Sequence, residues 1–277
     1  MLSDTLYPVV LSIIAVAVLA GAGRILWYRK VKRFVTSGSY IMHYQPIVSC
    51  ESHSHSHIVA LEALICLPES FRGINKERVM GCIERGAWGG LFTRAMFSSV
   101  LQDYARYFRE KSAVIISINI SPRDICCSTL VDFILTSLRD ARIPAGTFML
   151  ELTERTSPPS KGLFIKNLHR LRKGGVLLAI DDAGKEYSNN IIAMRFPFDY
   201  VKIEITMLED GHITCTENAL RMAIQDVRRG VIVERVQTSR DVSLAQEMLC
   251  HSLLQGWFYW RAMPASEVST LLPEKME

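Results

Sequence analysis

Short apolar runs alternate with longer amphipathic stretches along most of this chain. The runs are rich in Val, Ile and Leu and lie at residues 58–67, 113–120, 148–152, 176–180, 200–205 and 231–233. Apolar residues at helical spacing occupy the intervals, at residues 78–85, 91–108, 130–140, 163–173, 219–229 and 242–250. Strands that are each followed by a helix are typical of parallel β/α units, in which helices cover the sheet. The pattern predicts an α/β fold, and periodicity alone does not decide whether the sheet closes.

The first part of the chain departs from this alternation. Residues 5–23 carry no formal charge. Five basic residues follow within ten positions, at Arg24, Arg29, Lys30, Lys32 and Arg33. An uncharged helix of this length just spans a hydrocarbon layer of ~30 Å, so the pattern predicts one transmembrane helix. A cleaved signal peptide is the rival interpretation, because Ala20-Gly21-Ala22 has small residues, but the preceding segment holds Asp4 and no Lys or Arg.

The charges that follow the apolar segment predict the orientation of the rest of the chain. Basic residues stay on the cytoplasmic side, so residues 34–277 are expected in the cytoplasm and the N-terminal helix in membrane lipid. The basic cluster could also contact anionic lipid, but a role in setting the topology alone is the favoured interpretation. The seven cysteines are odd in number and contain no C-x-x-C pair, which favours reduced thiols. We expect a transmembrane and basic juxtamembrane segment at residues 1–33. Residues 34–277 then form one domain of the size of a (β/α)8 barrel.

Composition restricts the function of that domain. The chain has 32 Lys and Arg against 28 Asp and Glu, and the first 33 residues hold five of the basic residues and one of the acidic ones. The remainder is formally neutral, which excludes a globally basic protein that binds a nucleic-acid polymer. A neutral segment of this hydrophobicity also buries a core, which excludes a disordered chain.

The apolar runs each contain a polar residue or end in one. These residues are Glu62, Asn119, Glu151, Asp181, Asp182, Lys202, Glu204 and Glu234. An isolated charge in a buried strand costs several kcal/mol unless it is paired or binds a metal. Any single acid could be paired with a nearby Arg, but six runs with the same feature favour a shared site at the carboxyl ends of barrel strands. Hard oxygen ligands suit Mg2+ or Mn2+, and carboxylates for two ions with an ammonium fit hydrolysis of a phosphate ester.

The polar residues belong to an ordered series of short motifs. The series is Tyr44-Gln-Pro-Ile, Leu61-Glu-Ala-Leu, Ser117-Ile-Asn-Ile-Ser, Leu150-Glu-Leu-Thr-Glu, Ile180-Asp-Asp-Ala-Gly, Asp199-Tyr-Val-Lys-Ile-Glu, Val233-Glu-Arg-Val-Gln-Thr and Gln255-Gly-Trp. A lone Glu-Ala-Leu recurs by chance, whereas the whole series in this order is specific. Over residues 40–265 the chain resembles the EAL-domain family of cyclic di-GMP phosphodiesterases.

The resemblance implies a fold and a reaction. The fold is a modified TIM (β/α)8 barrel, and the reaction hydrolyses cyclic di-GMP to linear pGpG with two Mg2+ or Mn2+ ions. With the predicted transmembrane helix, it implies a single-pass protein of the bacterial inner membrane. A homodimer through the family's loop contacts is left open, because that loop is altered here.

The resemblance also implies roles for individual residues. The implied metal ligands are Glu62, Asn119, Glu151, Asp181, Asp182, Glu204 and Glu234. The implied catalytic residues are Lys202, Glu234 and Glu62. The implied substrate-binding positions are Gln45, Cys66 and Gln255, and Glu154 supports the loop that follows the paired aspartates.

Several positions depart from the family pattern, and they leave two functions open. Cys66 replaces an Arg that grips phosphate, Lys185 and Glu186 alter the loop, Glu204 replaces Asp, Arg235 replaces Gly, and Gln237 replaces Glu. The first function is a phosphodiesterase of modest activity that retains the metal ligands. The alternative is a degenerate domain that acts as a cyclic di-GMP receptor or a protein-interaction module.

Two further features have competing interpretations. The Ser-His repeat at residues 52–57 could bind metal, but its place between two strand-like runs favours a polar hairpin tip. The aromatic residues Trp257, Tyr259 and Trp260 could stack on guanine, but residues of this kind near a strand end more often pack into the core.

Overall fold

The structure is a computed structural model that describes most of the chain. It leaves out residues 1, 39, 53–54, 87, 113, 154, 185–187, 210–223, 250 and 276–277, and the side chains of residues 2–18, 50–52, 55–56 and 209.

The six apolar runs of the sequence form six of the nine strands that the structure describes in one sheet. The strands are β1 (Ile41–Ser52), β2 (His55–Cys66), β3 (Ile115–Ile120), β4 (Phe148–Leu152), β5 (Leu177–Ile180), β6 (Tyr200–Glu204), β7 (Gly230–Glu234), β8 (Leu253–Leu254) and β9 (Met263–Pro264). Their order is β2-β3-β4-β5-β6-β7-β8-β1-β9, and β1 also pairs with β2, so the sheet closes into a barrel. Strands β2 to β8 are parallel, whereas β1 is antiparallel to its neighbours β2 and β8. The expected modified (β/α)8 barrel is confirmed, and the antiparallel β1 is the modification.

Helices lie between the parallel strands and cover the barrel. They are α1 (Leu2–Ser37), α2 (Lys76–Arg85), α3 (Gly89–Asp103), α4 (Pro122–Ile125), α5 (Ser128–Asp140), α6 (Lys161–Lys173), α7 (Ser188–Ile192), α8 (Thr206–Glu209), α9 (Ser239–Met248) and α10 (Ala265–Val268). Helix α3 continues into a π-helical turn at Tyr104–Phe108. Most of the helix predicted at residues 219–229 lies outside the described residues.

The barrel interior is built in two layers because side chains alternate along each strand. The lower layer is apolar and consists of Ile47, Ala60, Met149, Leu177, Ala179, Tyr200 and Ile232. Two positions further along the same strands, the inward side chains are polar, as at Glu62, Glu151 and Lys202. The alternation therefore places the charged residues together at the carboxyl end of the barrel.

The prediction of a transmembrane helix and of a single-pass inner-membrane location is contradicted. In the part of the chain that the structure describes, no helix is long and apolar enough to cross a membrane. The described part of α1 carries the basic residues and buries Val31, Phe34 and Val35 against the barrel domain. Residues 5–18 of the predicted span lie outside the residues whose side chains are described. The expected lipid contact depended on that helix and has no support.

The polar hairpin tip is confirmed, and the aromatic residues divide between two environments. Strands β1 and β2 pair antiparallel with Ser52 opposite His55, so the described residues of the Ser-His repeat lie at the end of a hairpin. Tyr259 and Trp260 pack on the core, whereas the side chain of Trp257 is 59% exposed. The core prediction is therefore wrong for Trp257, whose ring contacts the guanidinium of Arg261 at 4.0 Å.

Replacing Phe34 tests whether the end of α1 belongs to the folded domain. Its ring lies 5.5 Å from that of Phe71 and 5.3 Å from that of Tyr40. We expect Phe34→Ala to lower the free energy of unfolding by about 3–5 kcal/mol, measured by urea denaturation of the full chain. Leu26 is 65% exposed on the same helix, and Leu26→Ala should cost less than about 0.5 kcal/mol. Equal effects of the two substitutions would contradict this packing.

Candidate functional site

The ammonium of Lys202 lies at the centre of the polar layer, among four carboxylates. Its Nζ is 2.7 Å from Oε2 of Glu151, 2.9 Å from Oε1 of Glu234, 3.2 Å from Oε2 of Glu62 and 3.5 Å from Oδ1 of Asp181. Lys202 and Glu151 are both fully buried. Strands β2, β4 and β6 and the ends of β5 and β7 supply these groups, so one ammonium joins five strands of the barrel.

Two amides fix the carboxylate of Glu62. Asn119 donates its Nδ2 hydrogen to Oε1 of Glu62 at 2.8 Å, and Gln255 donates its Nε2 hydrogen to Oε2 at 2.7 Å. Gln45 lies directly opposite Glu62 on β1 and donates to the carbonyl oxygen of Trp260 at 3.2 Å. The carboxylate of Glu62 is therefore held by Asn119 of β3 at one oxygen and by Gln255, which follows β8, at the other.

Gln255 owes its position to the glycine that follows it. A Cβ on Gly256 would lie 1.9 Å from the carbonyl oxygen of Val236, so only glycine permits this approach of the two backbones. The approach is closed by hydrogen bonds from the N–H of Val236 to Gln255 and from the N–H of Phe258 to Val236. The Gln255-Gly-Trp motif thus acts through backbone packing as well as through its amide.

Burial and charge shift the pKa values of these groups strongly. Burial lowers the pKa of Lys202, but the surrounding carboxylates outweigh burial and raise it well above its usual range. Burial raises the pKa of Glu151 to about 7 in spite of Lys202, and it raises that of Glu234 well above the usual range. Burial acts to raise the pKa of Glu62, but the charge of Lys202 and the amide hydrogen bonds outweigh burial. The pKa of Glu62 is therefore lowered from its usual value. The layer holds more carboxylates than a single ammonium neutralises, so protons or cations are favoured there.

A second group of charges lies at the rim of the barrel. Arg235 follows Glu234, and its guanidinium contacts Oε1 of Glu204 at 2.8 Å. Arg235 and Asp182 have positive φ angles of 60° and 46°, a conformation that side chains other than Gly rarely adopt. Backbone strain of this kind concentrates at functional sites. The rim is therefore shaped by the two departures at Glu204 and Arg235.

A cavity of about 610 Å3 opens over the polar layer. Predicted site residues that line it are Gln45, Glu62, Asn119, Asp181, Asp182, Glu204, Glu234 and Gln255. Lys202 lies just beneath, since it contacts Glu62 of that lining, and Glu151 in turn contacts Lys202. Sequence reasoning missed the lining residues of the helical side, which are Lys76, Glu84, Thr93, Asp124 and Arg155. Loops and helices that follow barrel strands surround the catalytic face, and this rule could have indicated that charged residues just after the strands line the cavity.

The remaining predicted positions lie at the edge of the site or outside the described residues. Cys66 ends β2 and is partly buried, and burial raises the pKa of its thiol. Glu154 and the pair Lys185 and Glu186 fall outside the described residues. Gln237 lines the cavity, and its N–H donates to Asp241 at 2.7 Å.

The chemical type of the side chains in the polar layer suits a divalent ion better than their present arrangement does. Within the described ranges, no three His, Cys, Asp or Glu side chains are grouped as metal ligands. The carboxylates instead converge on Lys202. The donors are hard oxygens, and both Oε1 of Glu151 and Oε1 of Gln255 are buried without a hydrogen-bond partner. Buried oxygens of this kind and an excess of negative charge suit Mg2+ or Mn2+.

Comparison with known proteins identifies a domain family and similar proteins. The family model described as the EAL domain matches residues 29–262. The chain is 25% identical over 237 residues to the cyclic di-GMP phosphodiesterase NbdA of Pseudomonas aeruginosa. The match covers 83% of this chain and 30% of that protein. The chain spans about a third of the length of the first curated relatives that it matches.

Solved structures share the same fold. The EAL enzyme Bd1971 with cAMP and cyclic di-GMP bound has a TM-score of 0.76 at 19% identity, and covers 91% of this chain and 69% of that one. The phosphodiesterase PaMucR in complex with c-di-GMP has a TM-score of 0.71 at 20% identity, with 87% of this chain and 98% of that chain covered. At these identities the similarity shows the fold alone.

Removing the central ammonium tests the electrostatics of the layer. We expect Lys202→Met to lower the free energy of unfolding by about 3–5 kcal/mol at pH 7.5, because the carboxylates lose their counter-ion. The pKa of Glu151 is raised to about 7 in the folded state, so at lower pH the folded state binds more protons than the unfolded state does. Proton binding therefore stabilises the folded state at low pH, and this stabilisation is lost as the pH rises through 7.

The loss in Lys202→Met should therefore be smaller at pH 5 than at pH 7.5, as measured by urea denaturation at both values. Lys166 is an exposed residue of α6, and Lys166→Met serves as the control that leaves stability nearly unchanged at both. An equal loss at the two pH values would contradict the assigned charge balance.

Proposed function

This chain belongs to the EAL domain family, and we propose on that premise that it hydrolyses one phosphodiester bond of cyclic di-GMP to give linear pGpG. The observation that carries the proposal is the cluster of Lys202 with four carboxylates beneath a cavity of about 610 Å3. Catalytic groups of a β/α barrel collect at this face, and a cavity of this size suits a small ligand.

The oxygen ligands of the layer would hold two divalent ions, Mg2+ or Mn2+. Glu62, Asn119, Glu151, Asp181 and Asp182 supply most of the donors, and Glu204 and Glu234 complete the set. When bound, the ions supply Lewis acidity toward water and phosphate, and the protein has no need for a separate strong base. Gln45 and Gln255 lie beside Glu62 and face the substrate.

Lys202 contributes a fixed positive charge to this chemistry. Its carboxylate contacts keep it protonated, since they raise its pKa well above the usual range in spite of burial. A buried ammonium that does not need to reorganise stabilises negative charge as it develops on phosphate. Its contacts also orient Glu62, Glu151 and Glu234, so that Lys202 acts both on the substrate and on the ligand set.

A second function is favoured by the rim of the site. The guanidinium of Arg235 contacts Glu204, a position that would otherwise serve the ions. Cys66 also lacks the charge of the family's Arg. These features support a receptor that binds cyclic di-GMP without hydrolysis, or an interaction module that binds no nucleotide.

Hydrolysis is measured directly with the full chain. Incubation with Mn2+ and cyclic di-GMP should yield pGpG, detected by anion-exchange chromatography. Glu62→Gln keeps the shape of the side chain but removes its charge, and it should reduce the rate at least about 100-fold. If the full chain yields no more pGpG than Glu62→Gln does, and neither yields any, catalysis is disproved. Calorimetric binding of cyclic di-GMP would then identify a receptor, and absence of heat an interaction module.

Replacing Arg235 tests its effect on metal binding. We expect Arg235→Gly to tighten binding of Mn2+ about tenfold in calorimetry, because Glu204 loses a competing cation. Arg142 is also exposed and has a positive φ of 53°, but it does not line the cavity. Arg142→Gly therefore controls for relief of backbone strain. Unchanged Mn2+ affinity in Arg235→Gly would show that the ion pair with Glu204 does not compete with the metal.

A further inference from the structure

The cavity has a cation that the barrel strands do not supply. A cyclic dinucleotide carries two phosphate charges, and the polar layer beneath it is already rich in carboxylates. A substrate of this charge needs positive groups on the wall of the cavity. Among the described lining residues, the side chains that carry a full positive charge are Lys76, Arg155 and Arg235.

Two of these three cations are already paired. Arg155 contacts Oε1 of the buried Glu84 at 2.9 Å, and Arg235 contacts Oε1 of Glu204 at 2.8 Å. Lys76 makes no ion pair within 4 Å with any carboxylate in the part of the chain that is described. It is also exposed, so its ammonium is free to meet a ligand that enters the cavity.

The local structure directs Lys76 toward the site. It is the first residue of α2, and the side chain of Asn75 caps the helix by accepting from the N–H of Glu77. Asn75, Lys76 and Glu77 all line the cavity together with Glu62, so the positive end of the α2 dipole faces the same space. Partial removal from bulk water in the cavity wall lowers the pKa of Lys76, and the negative charge of Glu62 acts to raise it.

We propose that Lys76 binds a phosphate of the cyclic dinucleotide and supplies the charge that the barrel lacks at Cys66. This inference rests on the proposed function, because it names a contact to the same substrate. Cys66 ends β2, and its side chain lies near enough to Lys76 for the two titratable groups to interact. A cation on the following helix can therefore serve the phosphate that a cation at position 66 would otherwise reach.

The test uses the full chain and two independent measurements. Affinity for cyclic di-GMP is measured by calorimetry in Ca2+, and hydrolysis is measured separately in Mn2+. Lys76→Ala should weaken binding about 10- to 100-fold, the effect of losing one charged hydrogen bond. Lys76→Arg should stay within about threefold of the unchanged chain, because it keeps the charge.

A matched control comes from another helix. Lys161 is likewise the first residue of a capped helix, α6, whose N-cap is Ser160, but it lies outside the cavity lining. Lys161→Ala should leave affinity unchanged. Adding Cys66→Arg to Lys76→Ala should recover most of the lost affinity if both positions serve one phosphate.

The outcomes separate this inference from the proposed function. If the unchanged chain binds cyclic di-GMP and Lys76→Ala binds it equally well, the role of Lys76 is disproved and the proposed function stands. If the unchanged chain gives neither heat nor product, the proposed function fails and the inference fails with it. A loss in Lys76→Ala with an unchanged urea midpoint and normal binding by Lys161→Ala supports it.

Discussion

The fold depends on one electrostatic constraint, the balance of charge around Lys202. A buried ammonium with four carboxylates within 3.5 Å leaves an excess of negative charge in a place where water screens little. Protons relieve part of the excess, as the raised pKa values of Glu151, Asp181 and Glu234 indicate. Divalent cations would relieve it further. The same imbalance would lower the stability of the folded state and favour the binding of positive ions at the site.

Alternation along the strands creates this constraint. Each inward charge lies two residues beyond an inward apolar side chain, as with Ala60 and Glu62 or Tyr200 and Lys202. The apolar layer below makes the charges converge above, where the cavity opens. The sequence predicted these parallel strands well, and residues 148–152 were placed to the residue, because continuous apolar runs mark them. Strands β8 and β9 were not predicted, since a strand of two residues is too short to show a periodic pattern.

Prediction was weaker wherever tertiary packing outweighed local pattern. The long apolar segment favoured a membrane span, but the described end of that helix buries Val31 and Val35 in the barrel domain. The strand-end acids could be predicted because burial makes charge in a strand conspicuous. Lys76 and Glu84 could not, because charge on a helix surface is ordinary until the fold turns it toward a cavity.

The departures from the family pattern redistribute charge within the site. A neutral Cys66 removes a cation from the end of β2, and Arg235 adds one beside Glu204. The charge summed over these two positions is thereby kept, but its place changes. Under the proposed function, a guanidinium on the ligand side would compete with metal, whereas an ammonium on the helical side would favour phosphate. This exchange would weaken the hold on the ions more than the hold on the nucleotide, which makes binding the more robust property and hydrolysis the more sensitive one.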